Sequence, residues 1–139
     1  MKILIAEDDF ACRKLLQSFL SEYGDCLVVN NGLEAIKAFK EAFDEGQPYD
    51  LICLDIMMPE MDGYEALESI RKIENERGID DPDGVKVIVT SALDDSADVK
   101  GVFKSGLEAW IVKPFGKRNL LKEMEKLGLV NLSESGSIK

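Results

Sequence analysis

A doubly wound α/β sandwich, with five parallel strands between two helical layers, is the fold this sequence predicts, and three observations predict it. Five short apolar runs rich in β-branched residues recur along the chain, each too short for a helix. Between them, apolar residues return at helical spacing. The run 51–54 (Leu51, Ile52, Cys53, Leu54) is apolar without interruption, as a strand covered by helices on both faces must be.

The elements follow in order. Residues 3–6 form the first strand, and Leu15, Leu16, Phe19, Leu20 and Tyr23 trace the first helix. Residues 26–29 are the second strand. The second helix carries Leu33, Ile36, Phe39 and Phe43, and its start is marked by Asn31 three residues before Glu34. After the third strand, 51–54, Asp62 precedes Glu65 by three in the same way, opening a helix through Tyr64, Leu67, Ile70 and Ile73. Residues 75–84 are polar and rich in breakers, and read as a long exposed loop before the fourth strand, 85–89. Its acids do not fit a calcium loop, because with Gly84 at the sixth position Ile79 and Thr90 would occupy the first and twelfth. A helix through Val99, Val102 and Phe103, the fifth strand 110–112, and a last helix through Leu120, Leu121, Met124 and Leu127 complete the alternation. Right-handed crossovers then give a flavodoxin-like sheet, for which the order 2-1-3-4-5 is expected, although one sequence does not itself dictate the order. The 139 residues suit one domain, 1–127, with a polar tail, 128–139, that has little to pack.

Composition narrows the function. A formal charge of -10 repels polyanions, so direct nucleic-acid binding is not expected. No apolar run approaches the ~18 residues of a membrane helix, and Glu7 interrupts the N-terminus too early for a signal peptide, so a cytoplasmic protein with no membrane partner is expected. With no histidine, imidazole acid/base chemistry and His-ligated zinc are excluded. Cys12, Cys26 and Cys53 lie far apart and read as small buried apolar residues.

In open parallel sheets, ligands bind beyond the carboxyl ends of the strands. There stand Glu7, Asp8 and Asp9 after the first strand, Asp55 after the third, Thr90 and Ser91 after the fourth, and Lys113 after the fifth. Clustered carboxylates raise one another's cost of ionisation unless a cation intervenes. Oxygen ligands favour Mg2+ or Mn2+, which take a phosphate oxygen as a further ligand. Lys113 supplies a positive charge for a phosphate, Thr90 a hydroxyl, and an Asp carboxylate is the available nucleophile.

The stretch Ile3-Leu4-Ile5-Ala6-Glu7-Asp8-Asp9, the run from Asp50 through Asp55-Ile56-Met57-Met58-Pro59-Glu60-Met61-Asp62-Gly63, Thr90-Ser91-Ala92 and Lys113-Pro114-Phe115 together resemble response-regulator receiver domains, above all the single-domain chemotaxis type. The resemblance spans residues 2 to about 127. It implies a phosphoacceptor signalling domain of a two-component system rather than a turnover enzyme. Asp55 would take a phosphoryl group from a histidine kinase or phosphotransfer protein. Asp8, Asp55 and the Met57 carbonyl would hold Mg2+, Glu7 assisting through water; Thr90 and Lys113 would contact the phosphoryl group. A cis bond before Pro114 would aim Lys113 inward. Trp110 stands where the family usually has Tyr or Phe as a switch residue. The changed surface for a downstream protein would span roughly residues 96–127.

Two other readings use the same residues. A dehalogenase-type phosphohydrolase would need an acid two residues after the nucleophile, where Met57 stands. A phosphorylation-independent pseudo-receiver normally lacks an acid or the lysine, and neither is missing. Asp8 and Asp9 alone would be ordinary helix caps.

Overall fold

The computed structural model describes residues 1–58, 60–79, 84–91 and 107–130. Strands β1 (Lys2–Ala6), β2 (Asp25–Val29), β3 (Leu51–Asp55), β4 (Lys86–Ser91) and β5 (Glu108–Val112) form one sheet in the order β2-β1-β3-β4-β5. All pairs are parallel, and the register aligns Ala6 with Leu54, Leu54 with Val89, and Val89 with Trp110. The expected helix through Val99, Val102 and Phe103 lies outside the described residues. The remaining helices are α1 (Phe10–Leu20), α2 (Gly32–Asp44), α3 (Gly63–Glu76) and α4 (Lys117–Lys126). Among the described residues, no helix is long and apolar enough to cross a membrane.

Strand alternation divides the core in two. Leu4, Ala6, Ile52, Leu54, Val87 and Val89 face α2 and α3, where Phe39, Leu67 and Ile70 cover them. Ile3, Ile5, Leu51, Cys53, Ile88 and Ile111 face α1 and α4, against Leu16, Leu20, Leu120 and Met124. Both faces of β3 are therefore sealed, which is why its sequence shows no polar alternation.

Helix ends follow local chemistry. Asp9 opens α1 by accepting the Cys12 N–H. At α3 the box is complete, Asp62 accepting from Glu65 N and Glu65 from Asp62 N. At α2 it is shifted: Asn31 accepts from Glu34 N, whereas the Glu34 carboxylate accepts from Asn30 N.

Three expectations change. Leu15 is exposed while Cys12 enters the core, so the buried stripe of α1 is Cys12, Leu16 and Leu20. The irregular segment expected from residue 75 starts later, because Asn75 and Glu76 complete α3 on its solvent side. Gly78, at φ 78, is what ends that helix, its N–H and that of Ile79 turning back to the Asn75 and Glu74 carbonyls. The tail expected from residue 128 begins with packed residues, since Leu129 N–H bonds the Met124 carbonyl and Leu129 and Val130 lie against the α1/α4 core. Residues 131–139 are outside the description.

A buried ion network ties α3 to the start of β5. Arg71 Nε donates to Glu108 Oε2 at 2.8 Å, with Nη2 on the same oxygen, and Nη1 donates to Glu74 Oε1 at 2.7 Å. Glu74 Oε2 accepts the Val85 N–H at 2.7 Å, fixing the entry to β4. Arg71→Met removes the cation and strands two buried carboxylates, so urea unfolding should show a loss of about 3–5 kcal/mol.

Candidate functional site

The functional side chains lie at the carboxyl edge of the sheet, and strand alternation aims them to one side. Glu7 continues the series Ile3, Ile5, and Asp55 the series Leu51, Cys53. Thr90 follows Ile88 and Lys113 follows Ile111, each on the α1/α4 face. Pairing persists past the strand ends, with Glu7 N–H bonded to the Val29 carbonyl and Lys113 N–H to that of Ser91. These bonds hold Glu7 and Lys113 in register with the sheet.

Glu7 is fully buried and Asp55 is 4% exposed. Lys113 Nζ lies 3.2 Å from Asp55 Oδ2, 3.2 Å from Glu7 Oε2 and 3.0 Å from Glu7 Oε1. The last contact is an ion pair without hydrogen-bond alignment, which leaves Glu7 Oε1 without an aligned donor. Glu7 Oε2 also accepts the Asp9 N–H at 3.2 Å, and Asp55 Oδ1 the Met57 N–H at 3.1 Å. One ammonium thus serves two buried carboxylates. Burial, then the hydrogen bond and charge of Glu7, push Asp55 up to about 7, against the opposing pull of Lys113 and the Met57 N–H. Burial alone would lower Lys113, yet its bond to Glu7 and the charges of Asp55 and Glu7 hold it above its ordinary value.

Asp8 is exposed, and one oxygen each from Glu7, Asp8 and Asp55 lie within 4.8 Å of one another. This donor set is made of hard carboxylate oxygens. The nearby Cys12 thiol is pushed up to about 12, by burial first and by Glu7 second, so it stays protonated and offers no soft thiolate ligand. The residues fit a hard divalent cation.

The other expected residues divide. Thr90 stands in register with Asp55, and its Oγ1 is buried with no hydrogen-bond partner among the described residues. Met57 is 68% exposed at the mouth of the site. Ser91 is buried within β4, its carbonyl taken by Lys113. Asp9 is a helix cap, as it would be in any α1 of this kind. The Lys113–Pro114 peptide is cis, as expected. Trp110 does not join the cluster. It lies three residues before Lys113, on the opposite face, partly buried against the α2/α3 core.

One participant was not anticipated. A Cβ on Gly63 would come 2.5 Å from the Asp55 carbonyl oxygen, so only glycine lets α3 begin this close to Asp55. Gly63 stands directly after the Asp62 cap, the one hint its sequence position offers.

Comparison with known proteins agrees with this geometry. The response regulator receiver domain family matches residues 3–125. The chemotaxis protein CheY of Listeria monocytogenes is 37% identical over 128 residues, covering 91% of this chain and 97% of that protein. Among solved structures, the receiver domain of the histidine kinase CKI1 from Arabidopsis thaliana, complexed with Mg2+ and BeF3-, aligns with a TM-score of 0.70 at 29% identity, covering 89% of each chain. The receiver domain of the sensor histidine kinase PA1611 from Pseudomonas aeruginosa, with a magnesium ion coordinated in its active site cleft, aligns at 0.70 and 27% identity, covering 91% of this chain and 97% of that one.

The raised acid at Asp55 has a sign that stability measurements can read. Between about pH 4 and pH 7 the folded chain keeps a proton the unfolded chain has lost, so rising pH removes stability across that window. Asp55→Asn has no such proton. In EDTA it should therefore gain on wild type by on the order of 3 kcal/mol between pH 4 and pH 8, measured by urea denaturation.

Proposed function

The chain belongs to the response regulator receiver domain family, signalling domains of two-component systems, and we propose that its phosphoacceptor is Asp55. The observation that carries this reading is the burial of Asp55 at the end of β3, with Lys113 Nζ 3.2 Å from one of its oxygens. In the proposed reaction an Asp55 carboxylate oxygen attacks the phosphorus of a phosphohistidine on a histidine kinase or phosphotransfer protein. The P–N bond breaks, and its electron pair stays on the imidazole.

Asp8, Asp55 and the Met57 carbonyl would hold Mg2+, or Mn2+ in its place, with Glu7 acting through water. When bound, the ion neutralises the carboxylates and the phosphoryl oxygens. Lys113 pairs with the incoming phosphoryl charge, and the Thr90 hydroxyl donates to a phosphoryl oxygen. Thr90 moving toward that oxygen vacates space that Trp110 on β5 enters. The altered surface at residues 96–127 then meets a downstream protein in the cytoplasm, with neither nucleic acid nor membrane involved. On this reading the domain runs over 1–127, with Leu129 and Val130 packed against it, and it promotes its own phosphorylation and dephosphorylation without turning over an external substrate.

Acetyl phosphate with Mg2+ should add one alkali-labile phosphoryl group to the intact protein, detected by mass spectrometry, and none to Asp55→Asn. Trp110 emission recorded on the same samples should shift to the blue only in wild type. Full labelling of the mutant would assign the nucleophile elsewhere, and labelling without the spectral shift would remove Trp110 from the switch.

A further inference from the structure

Between Asp55 and α3 the chain is fixed to the rest of the domain at two points, each involving a glycine. At the first, Gly63 N–H donates to the Ile56 carbonyl and Ile56 N–H to that of Thr90, both at 3.0 Å. At the second, the N–H of Gly32, buried and the first residue of α2, donates to the Met61 carbonyl at 3.3 Å. A Cβ on Gly32 would come 2.6 Å from that oxygen and 3.0 Å from Met61 Cγ, so backbone would have to shift to admit it. Glu60, just before Met61, is the one non-glycine with positive φ among the described residues, at 68°. A residue with a Cβ keeps such a conformation only where its surroundings enforce it. Met57 and Glu60 both lie between the two fixed points. We propose that Gly32 is a positioning residue: by letting Met61 approach the first turn of α2, it holds Met57 in place for the cation site of Glu7, Asp8 and Asp55.

Met57 matters through its carbonyl, a Mg2+ ligand in the function proposed above, on which this inference rests. Helix α2 itself gives no reason for a glycine here. Gly32 does not have a positive φ, and Asn31 before it is extended, at φ -156 and ψ 174, as a residue preceding proline must be. Alanine or proline at the first helical position would each lower the entropy lost on folding. The contact with Met61 is what forbids them. Binding constellations hold their groups to within about 0.5 Å, and Mg2+ demands near-ideal octahedral geometry, so a shift of Met61 that reaches Met57 weakens the cation's hold.

The test is Mg2+ binding by the intact chain, measured by isothermal titration calorimetry on wild type, Gly32→Ala, Gly32→Pro and Gly24→Ala. Both Gly32 variants should weaken binding by about tenfold, the low end for residues that orient a metal ligand. Gly24 lies just before β2, at the other end of the sheet, and a Cβ there would come 1.9 Å from the Met1 carbonyl oxygen. Its alanine variant loosens the fold away from Met61 and should stay within about twofold of wild type. Coupling is reciprocal, so saturating Mg2+ should slow amide exchange at Gly32 in the wild type, followed by NMR, by the same factor of about ten. That measurement needs no variant to fold. Wild-type affinity in either Gly32 variant, an equal loss in Gly24→Ala, or Gly32 exchange indifferent to Mg2+ would overturn the inference and leave the proposed function standing. Wild type that binds Mg2+ and gives all the predicted results, yet takes no phosphoryl group at Asp55, would instead overturn the proposed function alone. Wild type that binds no Mg2+ would overturn both.

Discussion

The structure turns on a shortage of positive charge. Two buried carboxylates, Glu7 and Asp55, share the Lys113 ammonium, and a third, Asp8, stands beside them in solvent. Burial first, and then the neighbouring Glu7, raise Asp55, and the two acids strengthen the hold on the Lys113 proton against the effect of burial. A protein selected for stability alone would have no reason to collect acids this way. The arrangement makes sense as a site waiting for a cation and an anion together.

Everything that brings these groups together is backbone. β1, β3 and β5 carry Glu7, Asp55 and Lys113 respectively, and ladder bonds extend past the strand ends to fix them. Among the described residues β5 is an edge strand, paired with β4 alone. Its far end is held by the Arg71–Glu108 bond and its near end by the Lys113 contacts, so the strand is tied to the domain at both ends. Between them, Trp110 faces the opposite core. β5 therefore joins Lys113 at the site to a side chain on the α2/α3 side.

The strands were legible because a run sealed on both faces is apolar in every position, and the site was legible because parallel strands gather their carboxyl ends. Boundaries slipped by a residue or two: Asp55 and Ser91 are inside their strands, since the backbone goes on pairing after the apolar residues stop. Leu15 is exposed although helical spacing included it, because spacing marks a stripe without saying where its centre falls, and the angle of α1 on the sheet decides that. The Arg71–Glu108 bond spans 37 residues and depends on α3 lying near β5, which nothing local announces.

If the crowded acids are a cation site, a cation must stabilise the folded chain. Urea unfolding of wild type at pH 8, in EDTA and in rising Mg2+, measures this without any phosphodonor. The midpoint should climb with the logarithm of Mg2+ concentration, adding about 2.7 kcal/mol when Mg2+ reaches 100 times its dissociation constant. A midpoint that stays the same from EDTA to saturating Mg2+ would contradict it.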